Sequence, residues 1–321
     1  MPSEIVLGID TSNYTTSVSI ATVEGEILCN LKAPLPVKEG ECGLRQSDAV
    51  FAHVKNLPLL MREAEARIAE NTLVAVGVST RPRNVDGSYM PCFLVGECTA
   101  QAISSSAKAP LFRFSHQCGH LRAALYSAGK SELRNAPFGA FHVSGGTTEM
   151  LSVSPAENGF SVEVVGGSKD LHAGQAVDRI GVMLGLKFPC GPALERLAMT
   201  NEEKFTPRGT HTDDGYIHLS GLQNLAENMK KKGASDAAVA AFTLDYLGRA
   251  MIAMSMYYRE HVADVPLLYA GGVMSNKLIR EAVCRQVKDA YFAEPVYSAD
   301  NAAGIALLTA EAFLQKALSQ T

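Results

Sequence analysis

The chain lacks several features that would place it in a large class at once. No run of eighteen or more consecutive apolar residues occurs, so nothing in it reads as a membrane-spanning helix. Its seven cysteines form no Cys-x-x-Cys pair, and that odd count fits reduced thiols better than a disulfide framework or a thiolate zinc cluster. Positive charge is not in excess. With 29 Lys and Arg against 33 Asp and Glu, the net charge of −4 gives no broad attraction to nucleic acid, although a local basic patch or a basic partner subunit stays compatible with it. No glycine-rich Walker sequence is present. The first residues, Met1-Pro2-Ser3-Glu4, lack the basic flank of a signal peptide, so a cytoplasmic location is expected.

What is present is an ordinary globular balance, 47% hydrophobic and 19% charged over 321 residues, enough for two domains or one large α/β domain. Ile5–Asp10 is an apolar strand that delivers a carboxylate into the polar stretch Thr11–Ser17, and alternation resumes at Val18. This hydroxyl-rich tip either cradles a phosphate, with Asp10 on a cation or its water shell, or simply closes a hairpin. Phe138–Val143, Ser144-Gly145-Gly146-Thr147 and Met150–Val153 repeat the arrangement, so a duplicated lobe is expected; the glycines permit close backbone approach or mark a plain turn.

Between the hairpins, Phe51, Val54, Leu57, Leu60, Met61, Ala64 and Ile68 have helical spacing, interrupted by Pro58, and predict a kinked or two-part helix. Leu73–Thr80 reads as a buried strand, followed by the polar loop Arg81-Pro82-Arg83-Asn84-Val85-Asp86-Gly87, whose arginines meet an anion or are solvated. His116 and His120 then open a helix. One turn apart on one face, with β-carbons about 5–6 Å from each other, they are two ligands of a shared metal, or else one caps and the other is solvated. Asp300, in a loop between an extended run ending near Tyr297 and a last apolar helix, is the candidate third ligand. Helices are expected over 170–186, 220–232, 237–262 and from Lys277, with Gly271-Gly272 placed to favour phosphate before the last of these.

Taken together, Gly8-Ile9-Asp10-Thr11-Ser12, His116-x-x-x-His120, Val143–Thr147, Ala173-Gly174-Gln175-Ala176-Val177-Asp178-Arg179, Phe188-Pro189-Cys190-Gly191-Pro192, Ser220-Gly221-Leu222, Ala270–Asn276 and Asp300-Asn301-Ala302 resemble the tRNA threonylcarbamoyl-adenosine transferases, once described as O-sialoglycoprotein endopeptidases. The resemblance covers nearly the whole chain. It implies an actin/hexokinase-like α/β fold (ASKHA) of two related lobes with mixed sheets around a central cleft: 1–130 with the first hairpin and the histidines, and 131–321 with the second hairpin and Asp300, the last helix free to pack back on the first lobe. It implies Fe2+ or Zn2+ on His116, His120 and Asp300, with Mg2+ accompanying a nucleotide, and an electrostatic role for Asp10. An adenylate would lie on Val143, Ser144, Gly145, Gly146, Thr147, Asp178, Gly191 and Asn276. The implied acyltransferase reaction carries threonylcarbamoyl from threonylcarbamoyl-AMP to the adenosine beside the anticodon of tRNA, with a smaller paralogous subunit and an ATPase as partners.

The chain departs from the family's pattern at Asn13-Tyr14-Thr15, Thr147-Thr148-Glu149, Leu171, Gln175, Cys190 and Arg81-Pro82-Arg83, mostly at acidic or nucleotide-facing positions. Two alternatives therefore stand beside the transferase: a paralogue that binds a nucleotide but serves another acceptor, and a non-catalytic partner of the tRNA-modification complex. A metallopeptidase does not fit, because the histidine pair lacks the adjacent glutamate of the zincins.

Overall fold

A computed structural model describes residues 2–12, 14–36, 44–157, 159–210, 212–298 and 302–319. Contacts divide the chain into two compact units, the first made of 1–126, 155–161 and 299–321, the second of 127–154 and 162–298.

In the first unit β1 (Glu4–Ser12), β2 (Thr15–Thr22) and β3 (Ile27–Pro34) form an antiparallel meander, followed by α1 (Gln46–Ala69), β4 (Thr72–Arg81), α2 (Phe93–Ala107), β5 (Leu111–Ser115) and α3 (His116–Ser127). The sheet order is β3-β2-β1-β4-β5, with β1, β4 and β5 parallel. Ile5, Leu7 and Ile9 pack with Leu57 and Leu60 of α1 and Ala100 of α2 on one face of the sheet.

The second unit contains β6 (Phe138–Val143), most of β7 (Thr148–Ala156) and of β8 (Gly159–Ser168), whose adjoining ends belong to the first unit, then α4 (Ala173–Met183), α5 (Gly191–Met199), β9 (Tyr216–Ile217), α6 (Ser220–Lys231), α7 (Asp236–His261), β10 (Leu267–Ala270), α8 (Lys277–Gln286), β11 (Ala290–Phe292) and α9 (Pro295–Ser298). Its sheet runs β11-β10-β6-β7-β8-β9. Without the short β9, that is the first sheet's order again, so the duplication expected from the hairpins is present as topology. Phe141, Tyr269 and Phe292, in register across β6, β10 and β11, stack with centroids 4.8 and 4.7 Å apart. Among the described residues α7 alone is long and apolar enough to cross a membrane, and 67% of its apolar window is buried in the protein, as a core helix requires.

The chain ends in α10 (Ala303–Leu318), which packs on the other face of the first sheet through Ala306 and Ala310 against Val6 and Ala75. It crosses α3 where Gly304 meets the Gly119 carbonyl, an approach that leaves no room for a β-carbon. Arg122 of α3 pairs with Glu311 of α10 at 2.7 Å in a largely buried ion pair.

Three expectations need correction. Helix α1 runs unbroken through Pro58, which removes the two-part alternative, and its buried stripe is Ala49, His53, Leu57, Leu60 and Ala64; Phe51 and Val54 lie outside, 66% and 54% exposed. The run before Asp300 is not extended to Tyr297: the strand ends at Phe292 and Pro295–Ser298 is helical. The Thr11–Ser17 stretch is not an open tip. The ladder continues to Ser12 opposite Thr15, because β-branched threonines suit paired strands.

Candidate functional site

The carboxyl edge of the first sheet carries the chemistry the sequence singled out. Asp10 is 1% exposed, and both of its oxygens are engaged. Oδ1 accepts the Ser12 backbone N–H at 2.9 Å, and Oδ2 lies 2.6 Å from His116 Nδ1. That contact places a proton on Nδ1 and leaves His116 Nε2 to face the other way. It faces His120: the two Nε2 atoms are 2.8 Å apart, with the rings edge-on at 82°. Asp10 therefore orients a histidine in this structure.

The donor set fits a divalent metal as far as it goes. Two convergent imidazole nitrogens are the usual start of a zinc or iron site, and tetrahedral geometry with bonds of about 2.0–2.1 Å would part them to about 3.3 Å, a small opening from the observed contact. Among the described residues no group of three His, Cys, Asp or Glu assembles as ligands, and Asp300 lies outside the described residues. Burial and the Asp10 charge push the Cys92 thiol up to about 11, and burial raises Cys118 as well. Ser79 follows Val78, the register partner of Ile9, so it comes level with Asp10. Its buried hydroxyl has no hydrogen-bond partner among the described residues.

The first hairpin's hydroxyls serve the fold. Thr11 Oγ1 donates to the Cys92 carbonyl at 3.0 Å and accepts from Gly96 N–H, tying β1 to α2. Thr16 Oγ1 meets His53 Nδ1 at 2.8 Å. Sequence reasoning missed His53 because it weighed only apolar spacing; its place four residues after Ala49 and four before Leu57 was the available signal. Burial pushes its pKa below the usual value, against the raising effects of the Ser12 backbone and Asp10.

In the second unit the predicted nucleotide residues lie on the β6–β7 turn, on α4 and at the starts of α5 and α8. Val143 is buried at the end of β6, and Ser144 N–H donates to the Thr147 carbonyl at 2.7 Å, closing a turn in which Gly145 and Gly146 are exposed with open space where a β-carbon would stand. Two backbones support it. Gly174, in the first turn of α4, donates to the Ser144 carbonyl at 3.1 Å, and Gly271, at φ +101°, lies against the Val143 carbonyl. Asp178 Oδ1 accepts from Cys190 N–H at 2.8 Å, fixing the residue before Gly191 at the start of α5. Glu195 of α5 accepts from Lys277 N–H, and Asn276 caps α8 by accepting from Ile279 N–H at 3.1 Å. Turn, α4, α5 and the start of α8 are thus linked by hydrogen bonds, and Asp178 and Asn276 each already spend one oxygen on structure. Thr148 was overlooked: its hydroxyl accepts from Ala173 N–H at 2.9 Å, docking α4 on the turn.

Comparison with known proteins decides what this architecture belongs to. A family model described as tRNA N6-adenosine threonylcarbamoyltransferase matches residues 39–307. The chain belongs to that family. An enzyme of that name from Thermus thermophilus is 31% identical over 307 residues, 94% of this chain and 91% of the relative. One from Streptococcus suis is 30% identical over 320 residues, 96% of this chain and 92% of the relative. Family members are transferases acting on tRNA. Among solved structures, T. kodakarensis HypF superposes with a TM-score of 0.61 at 15% identity, over 98% of this chain and 48% of that one, so the chain spans about half of HypF. A ROK family glucokinase from Streptomyces griseus gives 0.51 at 13% identity, over 96% and 99%. At these identities they show the fold alone, and it is the actin/hexokinase-like one that the motifs implied.

Proposed function

We propose that this chain transfers the threonylcarbamoyl group of threonylcarbamoyl-AMP to the exocyclic amine of the adenosine beside the tRNA anticodon, with one Fe2+ or Zn2+ held by His116, His120 and Asp300. The observation that carries the reading is the Asp10–His116–His120 chain, in which a buried carboxylate fixes one imidazole so that two Nε2 atoms converge. A metal there supplies Lewis-acid stabilisation of charge on phosphate or carbonyl oxygen.

The protein's own residues do the remaining work. The open Gly145-Gly146 tip of the Ser144–Thr147 turn suits close approach of the adenylate phosphate, and Gly191 leaves an open face for the base. The attacking amine forms the new bond to the carbamoyl carbon, the carbon–oxygen bond to phosphate breaks, AMP departs and the amine loses a proton. Preorganised donors around the phosphate favour that departure. In this reading the chain works in the cytoplasm with a smaller paralogous subunit and an ATPase, and Mg2+ accompanies the nucleotide.

A second reading, transfer to another acceptor, is favoured by one feature: Leu171, 5% exposed, is packed into the core where the family usually has an aspartate. The test is nucleoside mass spectrometry of a tRNA transcript incubated with the chain, its partner subunits, threonine, bicarbonate and ATP. Threonylcarbamoyladenosine in the product is the expected result. Its absence, with nucleotide still bound in calorimetry, moves the assignment to the second reading; a wild-type phenotype for His116→Ala would indicate a non-catalytic partner.

A further inference from the structure

The loop after β4 holds a cation in an unusual way. Arg81 donates from Nε and NH2 to Asn84 Oδ1 at 3.2 and 2.9 Å and from NH1 to Thr80 Oγ1 at 3.2 Å. Both acceptors are neutral. Arg113, Arg122, Arg249, Arg259 and Arg280 each face a carboxylate, whereas no carboxylate among the described residues pairs with Arg81. The clamp is itself fixed: Asn84 Nδ2 donates to Cys118 Sγ at 3.3 Å and to the Phe160 carbonyl at 3.2 Å, which leaves its oxygen to Arg81. Gln117 N–H donates to the Pro82 carbonyl, and Arg83 N–H to Ser88 Oγ, so the loop backbone is tied to α3 and to itself. A guanidinium held by amide and hydroxyl keeps its whole charge and spends three of its five N–H groups, leaving two for an anion.

The same loop presents an aromatic ring. Tyr89 is 61% exposed, an arrangement suited to stacking on an unpaired base. In a chain of net charge −4, a phosphate contact has to be local.

We propose that the Arg81–Tyr89 loop is an RNA contact, with Arg81 on a backbone phosphate and Tyr89 against an unpaired base. This rests on the tRNA reading above and adds to it a contact at Arg81-Pro82-Arg83, where the chain departs from the family's pattern. Preorganisation by the neutral clamp lowers the ordering cost of the contact.

The test is fluorescence anisotropy of a labelled tRNA transcript against the full chain, alone and with its partner subunits, across about 50–200 mM salt. Arg81→Ala and Asn84→Asp are each expected to weaken binding several-fold and to flatten the logarithmic salt slope by about 0.7–0.9, the loss of one phosphate contact. Asn84→Asp is the sharper variant, because it leaves the guanidinium in place and cancels its charge. Tyr89→Ala is expected to weaken binding without changing the slope, since stacking releases no counterion. Unchanged affinity and slope in Arg81→Ala and Asn84→Asp, with wild type binding tRNA, would overturn the inference while sparing the tRNA reading. A wild type that fails to bind tRNA in any assembly would overturn both.

Discussion

The two hairpins share a place in their sheets and treat their polar residues in opposite ways. In the first, Thr11, Ser12, Thr15, Thr16 and Ser17 are all buried, the ladder runs to the Ser12–Thr15 pair, and hydroxyls bond to α1, α2 and the strand backbone. In the second, pairing stops at Val143–Thr148, and the intervening turn leaves Gly145 and Gly146 open. One hairpin is a rigid mount for a carboxylate; the other ends in an open glycine tip. A cluster of hydroxyls is therefore a poor sign of an anion site, since hydroxyls satisfy one another and their neighbours. Small residues with nothing above them are a better one.

The largest expected effect tests the mount. His116→Ala or His120→Ala should abolish measurable binding in a zinc competition titration, because one imidazole without its neighbour makes a weak site. Next is the turn. Gly271→Ala forces a β-carbon onto the Val143 carbonyl at φ +101° and should cost about 3 kcal/mol or more in urea unfolding, whereas Gly146→Ala meets open space and should cost under about 1 kcal/mol. Equal losses at the two positions would erase the distinction between a supported backbone and a displayed one.

Asp10→Ala should weaken zinc binding by about 10–100-fold through loss of the orienting carboxylate, less than loss of a histidine. An effect as large as that of His116→Ala would make Asp10 a ligand instead.

The smallest effect is a pair of acid windows, one from each unit. His53 resists protonation when folded, so the unfolded chain takes up the proton first and stability falls as pH drops below about 6.5. Burial raises the Asp170 pKa, but the Ser220 hydroxyl and the N–H groups of Leu219, Ser220 and Leu171 outweigh it and hold the carboxyl below its ordinary value of 3.8. That contribution is complete above 3.8 and is lost as pH falls further toward the folded pKa. Urea midpoints across pH should show both windows, and His53→Gln should remove only the upper one.

Much of this was legible in the sequence. The two hairpins, the histidines one turn apart and the glycine pair of the second turn are local patterns, set by periodicity and by residue size. What escaped depended on partners far away in sequence. Phe51 and Val54 have helical spacing, but the face of α1 that meets the sheet is chosen by Thr16, which receives His53. Asp170 looks like an ordinary helix-start acid until Leu219 and Ser220 arrive to donate to it. Strand β8 has a weak apolar pattern, and its place in the sheet beside β7 comes from its neighbours.

The most direct test is anomalous diffraction from crystals grown with zinc. The account predicts one metal peak bonded to Nε2 of both His116 and His120, with Asp10 still on His116 Nδ1. A peak elsewhere, or a metal on the Asp10 carboxylate with His116 turned away, would contradict it.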